Sequence, residues 1–214
     1  NTGDDESFHG LHVSPDLDTM MYTLSGLSNQ ENGWGLAGDT FTALEMLRKF
    51  GVDTWFNLGD RDFATHIRRT QLLAEGKTLS EVTTELNRSL GVFHGVTPMS
   101  NDPVKTVLQT DEGELPMQRY FVGRRAEPKV SEVRYLGAEN AAAAPGLQNA
   151  LAKARLLVLC PSNPYLSLGP ILALPGVRQK MRTFPGKKVC VSPIIGGDAV
   201  KGPAGKIMAE VGKQ

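Results

Sequence analysis

The chain contains the run Leu156-Leu157-Val158-Leu159-Cys160, which passes directly into Pro161-Ser162-Asn163-Pro164 and then into a predicted helix. A second run, Val189-Cys190-Val191-Ser192, leads in the same way into residues 193–197. Short continuous apolar runs are typical of parallel strands that are buried on both faces. Together with the strand–loop–helix rhythm, they predict an α/β fold: a Rossmann-like, doubly wound and mostly parallel sheet.

The central part of the chain departs from that rhythm. Residues 54–58 still predict a short buried strand ahead of a helix. The segment 76–140 instead has the pattern of a helix, a hairpin at 104–122 and a further strand at 130–136. We therefore predict a single, incomplete domain over residues 1–214, in which 76–140 is either an inserted lobe of helix and antiparallel strands or a second sheet region.

Composition and charge set few limits on function. The 214 residues are 40% hydrophobic and 21% charged with a formal net charge of +0, so the overall balance indicates neither a nucleic-acid nor a membrane partner. No apolar run approaches the roughly 20 residues of a membrane-spanning helix. Cys160 and Cys190 lie in apolar runs, which predicts buried thiols in a reducing compartment and hence a cytoplasmic protein.

Four carboxylates near the start of the chain form two close pairs, Asp4 with Asp5 and Asp16 with Asp18. Mg²⁺ takes oxygen ligands and often uses one or two carboxylates together with substrate phosphates. A simpler interpretation is that Asp4 and Asp5 form a turn, while Asp16 complements the start of a helix that Ser14 caps. Asp18 has no such role in the helix, so it is the strongest candidate of the four.

A second polar cluster, Gly59-Asp60-Arg61-Asp62, stands at a predicted strand-to-helix turn, and His66 follows one helical turn later. Asp60 could cap the helix, and Arg61 could hold a phosphate or an aromatic ring. Asp62 and His66 are neighbours at i,i+4 on one helix face. This spacing suits either a base with its orienting carboxylate or a surface pair.

Two later loops carry further candidates. Ser162 and Asn163 suit phosphate contacts at a helix N-terminus, although capping alone explains them equally well. Gly196 and Gly197 would let the backbone approach a ligand closely. Ligands of open α/β sheets bind beyond the carboxyl ends of the strands, and all of these loops are predicted to lie there.

Taken together and in this order, the motifs resemble the CofD/FbiA family, the 2-phospho-L-lactate transferases of deazaflavin coenzyme F-420 biosynthesis. The resemblance runs through essentially the whole chain. It rests on residues 1–5, 14–19, 59–66, 162–164, 167–172, 192–197 and 202–203.

The resemblance implies a transferase that moves a phospholactyl, phosphoenolpyruvyl or phosphoglyceryl group. The donor would be activated by guanosine diphosphate, and the acceptor would be the terminal hydroxyl of the deazaflavin Fo. GMP would be released and a phosphodiester formed. The resemblance also implies a requirement for Mg²⁺, a Rossmann-like fold and often a homodimer.

By the same resemblance, Asp5 and Asp18 would hold the metal with Asp4, and Asp18 and Arg61 would act in catalysis. The implied substrate-binding residues are Asn1, Asp18, Asp60, Arg61, His66, Ser162, Asn163 and Gly196. On this view, an Asp18→Ala variant loses turnover but melts within a few degrees of the unchanged chain.

Two alternatives stay open, because the chain lacks the family's Gly-rich opening loop and its C-terminal part. One is a non-catalytic, YvcK-like protein that binds a nucleotide-sugar; its loop is rich in Asn-Asp-Gly-Gly-Ser, whereas residues 1–5 read Asn-Thr-Gly-Asp-Asp. The other is a nicotinamide-dependent oxidoreductase. That hypothesis gives the acidic cluster no role, and the sequence contains no Gly-x-Gly-x-x-Gly fingerprint.

Overall fold

The structure is a computed structural model that describes residues 1–212. The chain divides into two compact units. One is Asp5–Pro98, and the other is Asn1–Asp4 together with the chain from Met99 onward. Each unit has buried apolar clusters of its own. The boundary between the two units follows Pro98 and falls inside the segment 76–140. The inserted lobe suggested for that segment stays a prediction.

The unit Asp5–Pro98 consists of a short hairpin followed by four helices. Phe8, Leu44 and Phe63 are buried in one apolar cluster that joins the hairpin to the second and third helices. The antiparallel strands are β1 (Glu6–Phe8) and β2 (Leu11–Val13), and the helices are α1 (Pro15–Leu24), α2 (Thr42–Lys49), α3 (Asp60–Ala74) and α4 (Leu79–Ser89).

Local chemistry sets the ends of these helices. α4 begins with a capping box: Thr78 Oγ1 accepts the N–H of Glu81 at 3.3 Å, and the Glu81 carboxylate accepts the N–H of Thr78 at 2.8 Å. Pro15 occupies the first turn of α1, where a backbone N–H has no partner within the helix. The chain leaves α1 through Gly26, whose φ of 74° a residue with a Cβ rarely adopts.

Residues 54–58 do not form the strand that their sequence predicts. A strand needs a hydrogen-bonded neighbour, and no segment among residues 1–212 forms a ladder with this one. Side-chain packing holds it instead. The rings of Phe8 and Phe56 stack with their centroids 3.9 Å apart, and Trp55 meets Phe8 edge-on at 5.4 Å. The segment therefore enters α3 as a packed loop.

The other unit combines a three-stranded antiparallel sheet with one parallel strand pair. Its strands are β3 (Lys105–Thr110), β4 (Gly113–Pro116), β5 (Val130–Leu136), β6 (Leu156–Leu159), β7 (Lys187–Cys190), β8 (Ile194–Ile195) and β9 (Asp198–Ala199). Its helices are α5 (Pro145–Lys153), α6 (Gly169–Ala173), α7 (Val177–Arg182) and α8 (Ala204–Val211). β3 lies between β4 and β5, which confirms the predicted antiparallel strands.

The parallel pair is formed by the two apolar runs that predicted it, since β6 pairs with β7 from Leu156–Lys187 to Leu159–Cys190. Its burial differs from the prediction. Leu156 and Val189 remain about half exposed, and both cysteines are exposed. Between residues 1 and 212 no third strand joins this pair, so its faces stay partly open to solvent.

The mixed α/β class is confirmed. In the described part of the chain, parallel pairing is confined to β6 and β7, and the remaining strand pairs are antiparallel. None of the helices from residue 1 to residue 212 is both long enough and apolar enough to cross a membrane.

Candidate active site

Asp5 directly precedes the β1–β2 hairpin, and its carboxylate contacts two side chains of the same segment. Its Oδ2 accepts a hydrogen bond from Ser14 Oγ at 2.8 Å and lies 3.0 Å from His12 Nε2. Its Oδ1 is buried without a hydrogen-bond partner. Burial raises the pKa of Asp5 above its ordinary value, although His12, Ser14 and Arg69 act in the opposite direction.

The bond from Ser14 to Asp5 corrects one expectation. Ser14 precedes α1 and was expected to cap it, but its side chain makes no cap hydrogen bond to the helix. Its hydroxyl donates to Asp5 instead. The residue thus ties the start of α1 to the carboxylate.

Asp18 is buried in the first turn of α1, where it forms an ion pair with Arg69 of α3. Arg69 Nη1 donates to Asp18 Oδ2 at 3.1 Å, and Arg69 Nη2 donates to Asp18 Oδ1. Burial alone would lower the pKa of Arg69, but the carboxylates of Asp18 and Asp5 raise it above its ordinary value. Both oxygens of Asp18 therefore face a fixed cation.

His66 extends this ion pair into a buried polar network. Its Nδ1 lies 3.2 Å from Arg69 Nη1, and its Nε2 lies 3.3 Å from Asp62 Oδ1. The hydroxyl of Tyr22 lies 2.7 Å from the same Asp62 oxygen. The predicted pairing of Asp62 with His66 is confirmed. His66 is only 1% exposed, so it is placed to position its neighbours from within the fold.

The network changes the acidity of its members. Burial opposes ionisation of Asp62, but His66, Tyr22 and Arg69 hold its pKa below the ordinary value. Burial, with the negative charges of Asp18 and Asp62, raises the pKa of Tyr22 well above its usual range. Tyr22 therefore acts here as a neutral hydrogen-bonding group.

The N-termini of α2 and α3 are each capped by an aspartate that lies next to the other helix in the sequence. Asp60 accepts the N–H groups of Thr42 and Ala43, at 3.1 and 2.8 Å, and so it caps α2. Asp39 accepts the N–H groups of Arg61 and Asp62, at 2.9 and 3.2 Å, and so it caps α3. Asp60 was predicted to cap α3, but it caps α2, and Asp39 caps α3 in its place. These hydrogen bonds lower the pKa of Asp60, with the one from Thr40 contributing most.

Gly59 makes this exchange of caps possible. A Cβ at this position would lie 2.1 Å from Asp39 Oδ2. Only glycine leaves room for the carboxylate to reach the N-terminus of α3.

A Gly59→Ala variant is expected to lose about 1–3 kcal/mol of unfolding free energy, because Asp39 must withdraw from α3. Urea denaturation of the variant beside the unchanged chain measures the loss. The matched control is Gly95→Ala, since Gly95 has open space around its Cβ position. Equal stability of Gly59→Ala and Gly95→Ala would show that Asp39 does not hold α3 in this way.

Arg61 lies in the first turn of α3 and is exposed. Its Nη1 donates to the carbonyl of Ala37 at 2.9 Å, and its backbone N–H donates to Asp39. The side chain is thus a cation that one hydrogen bond orients at the surface of its unit. This is the chemistry expected of a residue that contacts phosphate.

A cavity of about 280 Å³ opens in the same unit, and it is lined by Leu36 and Gly38, the two neighbours of the Ala37 that Arg61 contacts. Its lining includes two aromatic, two amide and two carboxylate side chains. The lining residues with side chains beyond glycine are Asn29, Glu31, Asn32, Trp34, Leu36, Asp39 and Phe41.

In the other unit, Asn1 and Asn163 meet at the backbone of Leu166. Asn1 Nδ2 donates to the carbonyl of Leu166 at 3.2 Å and to Asp4 Oδ1 at 3.2 Å. Asn163 Oδ1 accepts the N–H groups of Tyr165 and Leu166, at 2.9 and 3.0 Å, and caps the helical turn that begins there. The structure therefore brings together Asn1, Asp4 and Asn163.

Two further residues that were predicted to bind substrate, Ser162 and Gly196, belong to the same unit. Ser162 is half-buried, directly before Asn163. Gly196 has a φ of 62° in the turn that connects β8 and β9, and it is exposed with open space around it. A ligand could approach the backbone there without a steric barrier.

The residues fit the predicted Mg²⁺ only in part. The buried, unpaired Oδ1 of Asp5 is a suitable hard oxygen ligand. Asp18 is not free to serve, because Arg69 faces both of its oxygens. Across residues 1–212, moreover, no three His, Cys, Asp or Glu side chains converge as a metal site would require.

The sequence model of one protein family, described as 2-phospho-L-lactate transferase CofD, matches residues 1–214. The chain belongs to the CofD family. A 2-phospho-L-lactate transferase of Methanopyrus kandleri is 44% identical over 213 residues, covering 99% of this chain and 68% of that protein. A phosphoenolpyruvate transferase of Kitasatospora aureofaciens is 44% identical over 217 residues, with the same two coverages.

Membership of the CofD family confirms the resemblance seen in the motifs. It also confirms the prediction of a transferase with a role in coenzyme F-420 biosynthesis. A solved structure of a member of the UPF0052 family from Bacillus halodurans superimposes with a TM-score of 0.58 at 18% identity. It covers 88% of this chain and 58% of the solved chain, and the likeness supports the fold alone.

Sequence reasoning missed Arg69 and Tyr22, which complete the buried network of this CofD-family chain. Helical spacing could have found both. Arg69 follows Asp62 and His66 on one face of α3, and Tyr22 follows Asp18 by one turn of α1. Polar residues that recur on one face of each of two helices indicate a buried polar network, which single motifs do not reveal.

Proposed function

We propose that this chain transfers a phosphate-linked three-carbon acid from a guanosine-diphosphate-activated donor to the terminal hydroxyl of Fo. The acceptor oxygen bonds to the phosphorus that carries the acid, and the diphosphate P–O bond breaks. GMP leaves, and the hydroxyl proton passes to the solvent or to a base. The observation that carries the proposal is the CofD match over residues 1–214, with relatives named as transferases of this type.

Arg61 supplies positive charge for this reaction. Transfer of a substituted phosphoryl group depends on positioning and charge neutralisation more than on a covalent nucleophile. An exposed guanidinium with one fixed hydrogen bond can form paired contacts to phosphate oxygens. We therefore assign Arg61 to the transferred phosphate or to the acceptor oxygen beside it.

Asp18 acts through Arg69 in this proposal and does not bind a metal. The ion pair fixes α1 against α3, whose first turn presents Arg61. His66, Asp62 and Tyr22 complete the support. The network keeps the start of α3 rigid, and rigidity of this kind is what positioning catalysis requires.

Mg²⁺ remains part of the proposal through Asp5, with Asp4 as a second candidate. Bound there, the cation would neutralise charge on the diphosphate of the donor. Ser14 and His12 orient the Asp5 carboxylate through its Oδ2, so that its buried Oδ1 stays directed away from them.

We assign contacts with the nucleotide side of the donor to Ser162 and Asn163. The carbonyl of the Asn163 side chain is used in capping, which leaves its Nδ2 group as a donor. Ser162 adds a hydroxyl, and Asn1 is tied to the same turn. We also propose a cytoplasmic enzyme, because two exposed free thiols suit a reducing compartment.

The test is to incubate the chain with Fo, Mg²⁺ and each guanylylated acid in turn: lactyl, enolpyruvyl and glyceryl. Mass spectrometry should find an Fo adduct of the mass of one phosphodiester with at least one donor. All three donors must be tried, because one relative named for phospholactate and one named for phosphoenolpyruvate are each 44% identical to this chain. No adduct with any donor would overturn the proposed function.

A further inference from the structure

The hydroxyl of Thr70, in the second half of α3, joins that helix to the strand β2. It donates a hydrogen bond to the carbonyl of His66 at 2.7 Å and accepts the backbone N–H of His12 at 2.8 Å. Donation to the carbonyl four residues earlier is an ordinary bond for a threonine within a helix. The bond from His12 is a second one, and it comes from a distant part of the chain.

Arg69, the residue before Thr70, holds the other backbone group of His12. Its Nη1 donates to the carbonyl of His12 at 3.3 Å. Two consecutive residues of α3 therefore bond both backbone polar groups of one strand residue. A two-stranded hairpin is at best marginally stable in water by itself. The β1–β2 hairpin therefore depends on contacts of this kind for its position.

His12 carries this position on to the carboxylate of Asp5. Its Nε2 lies 3.0 Å from Asp5 Oδ2, and Ser14 Oγ donates to the same oxygen at 2.8 Å. The backbone of His12 is fixed by α3, so the place from which its ring reaches Asp5 is fixed as well. A continuous series of hydrogen bonds thus runs from Thr70 through His12 to Asp5.

The same helix also presents Arg61. That residue stands in the first turn of α3, and Thr70 lies about two and a half turns further along. One element therefore places both the guanidinium and the carboxylate that the proposed function uses. Transfer of a substituted phosphoryl group depends on such positioning, and small displacements of a reacting or charge-bearing group can cost much of the rate.

We propose that Thr70 is a positioning residue for the transfer reaction, which fixes the Asp5 carboxylate through His12 without touching the substrate. The proposal rests on the proposed function for the role of Asp5. It adds a residue in the second half of α3, outside every motif that the sequence suggested.

The first experiment compares steady-state kinetics of the unchanged chain with Thr70→Val, which keeps the shape but removes the hydroxyl. We expect kcat to fall about 10-fold, because Asp5 is then less well placed in the transition state. The KM values for Fo and for the donor should stay within about 2-fold. Thr70→Ser retains the hydroxyl and should restore most of kcat.

Two further variants complete this experiment. Thr70→Ala leaves space for a water molecule to bond the N–H of His12, so it provides a second test should Thr70→Val not fold. It should also lower kcat more than it changes either KM. The matched control is Thr84→Val on α4, since Thr84 is exposed and makes the same helical bond, to Ser80 at 2.8 Å. That variant should keep kcat within about 2-fold.

A second measurement needs no turnover. The ¹³C resonance of the Asp5 carboxyl carbon, recorded at one pH without substrate, reports the surroundings of that group. It should move in Thr70→Val and Thr70→Ala and stay in place in Thr70→Ser and Thr84→Val. If it moves in this pattern while the unchanged chain forms no Fo adduct, the proposed function fails and the link from Thr70 to Asp5 stands.

Three results would overturn the positioning role. One is an unchanged kcat in the folded Thr70→Val and Thr70→Ala variants, even with a lower melting temperature, since a purely structural contact gives that outcome. Another is an equal loss of kcat in Thr70→Ser, which would show that the hydroxyl is not the cause. The third is an Asp5 resonance that none of the Thr70 variants moves.

Discussion

An Asp18→Ala variant is expected to lose about 3–5 kcal/mol of unfolding free energy, because it leaves the buried guanidinium of Arg69 without its partner. For a chain of this length, that loss lowers the melting temperature by at least about 6 °C. Thermal and urea denaturation measure it. The sequence alone predicts a variant that melts within a few degrees of the unchanged chain, so the melting temperature distinguishes the two predictions.

Two further variants locate the cause. Asp53→Ala removes an exposed acid in the same unit and should change stability by no more than about 0.5 kcal/mol. Replacing both members of the pair, as Asp18→Leu with Arg69→Met, should recover most of the loss because no unpaired charge is then buried. An Asp18→Ala chain as stable as the Asp53→Ala chain would contradict the ion pair.

An Arg61→Gln variant is expected to lose about 10²–10³-fold in kcat/KM while keeping its stability. The substitution removes a charge that the proposed reaction needs at the transferred phosphate. It costs the fold only one exposed hydrogen bond, to Ala37. Steady-state kinetics together with a melting curve separate the two effects.

Arg68→Gln is the matched control for Arg61→Gln. Arg68 lies on the same helix and forms a surface ion pair with Glu85 at 2.7 Å, outside the cavity and the buried network. Its loss should leave kcat/KM within about 2-fold, since exposed ion pairs contribute little. If both variants lose activity equally, Arg61 has no special role in the transfer.

Local sequence signals predicted the parts of this chain that depend on neighbours along the backbone. The pairing of Asp62 with His66 lies within about one helical turn, and it is present. The pairing of β6 with β7 also follows from their shared pattern.

Features set by distant residues were harder to predict. The exchange of caps between Asp39 and Asp60 depends on how two helices meet, and a propensity for capping does not say which helix is capped. Asp18 looked free because its partner Arg69 lies far along the chain. The half-exposed β6 shows that an apolar run predicts pairing better than burial, because burial depends on what covers the strand.

Measuring GMP and the Fo phosphodiester in one reaction, with and without Fo, tests whether the acid is transferred to the deazaflavin. The two products are expected to form in a one-to-one ratio, and GMP release is expected to stop when Fo is omitted. GMP released without Fo, or GMP formed with no matching phosphodiester, would contradict transfer to the deazaflavin.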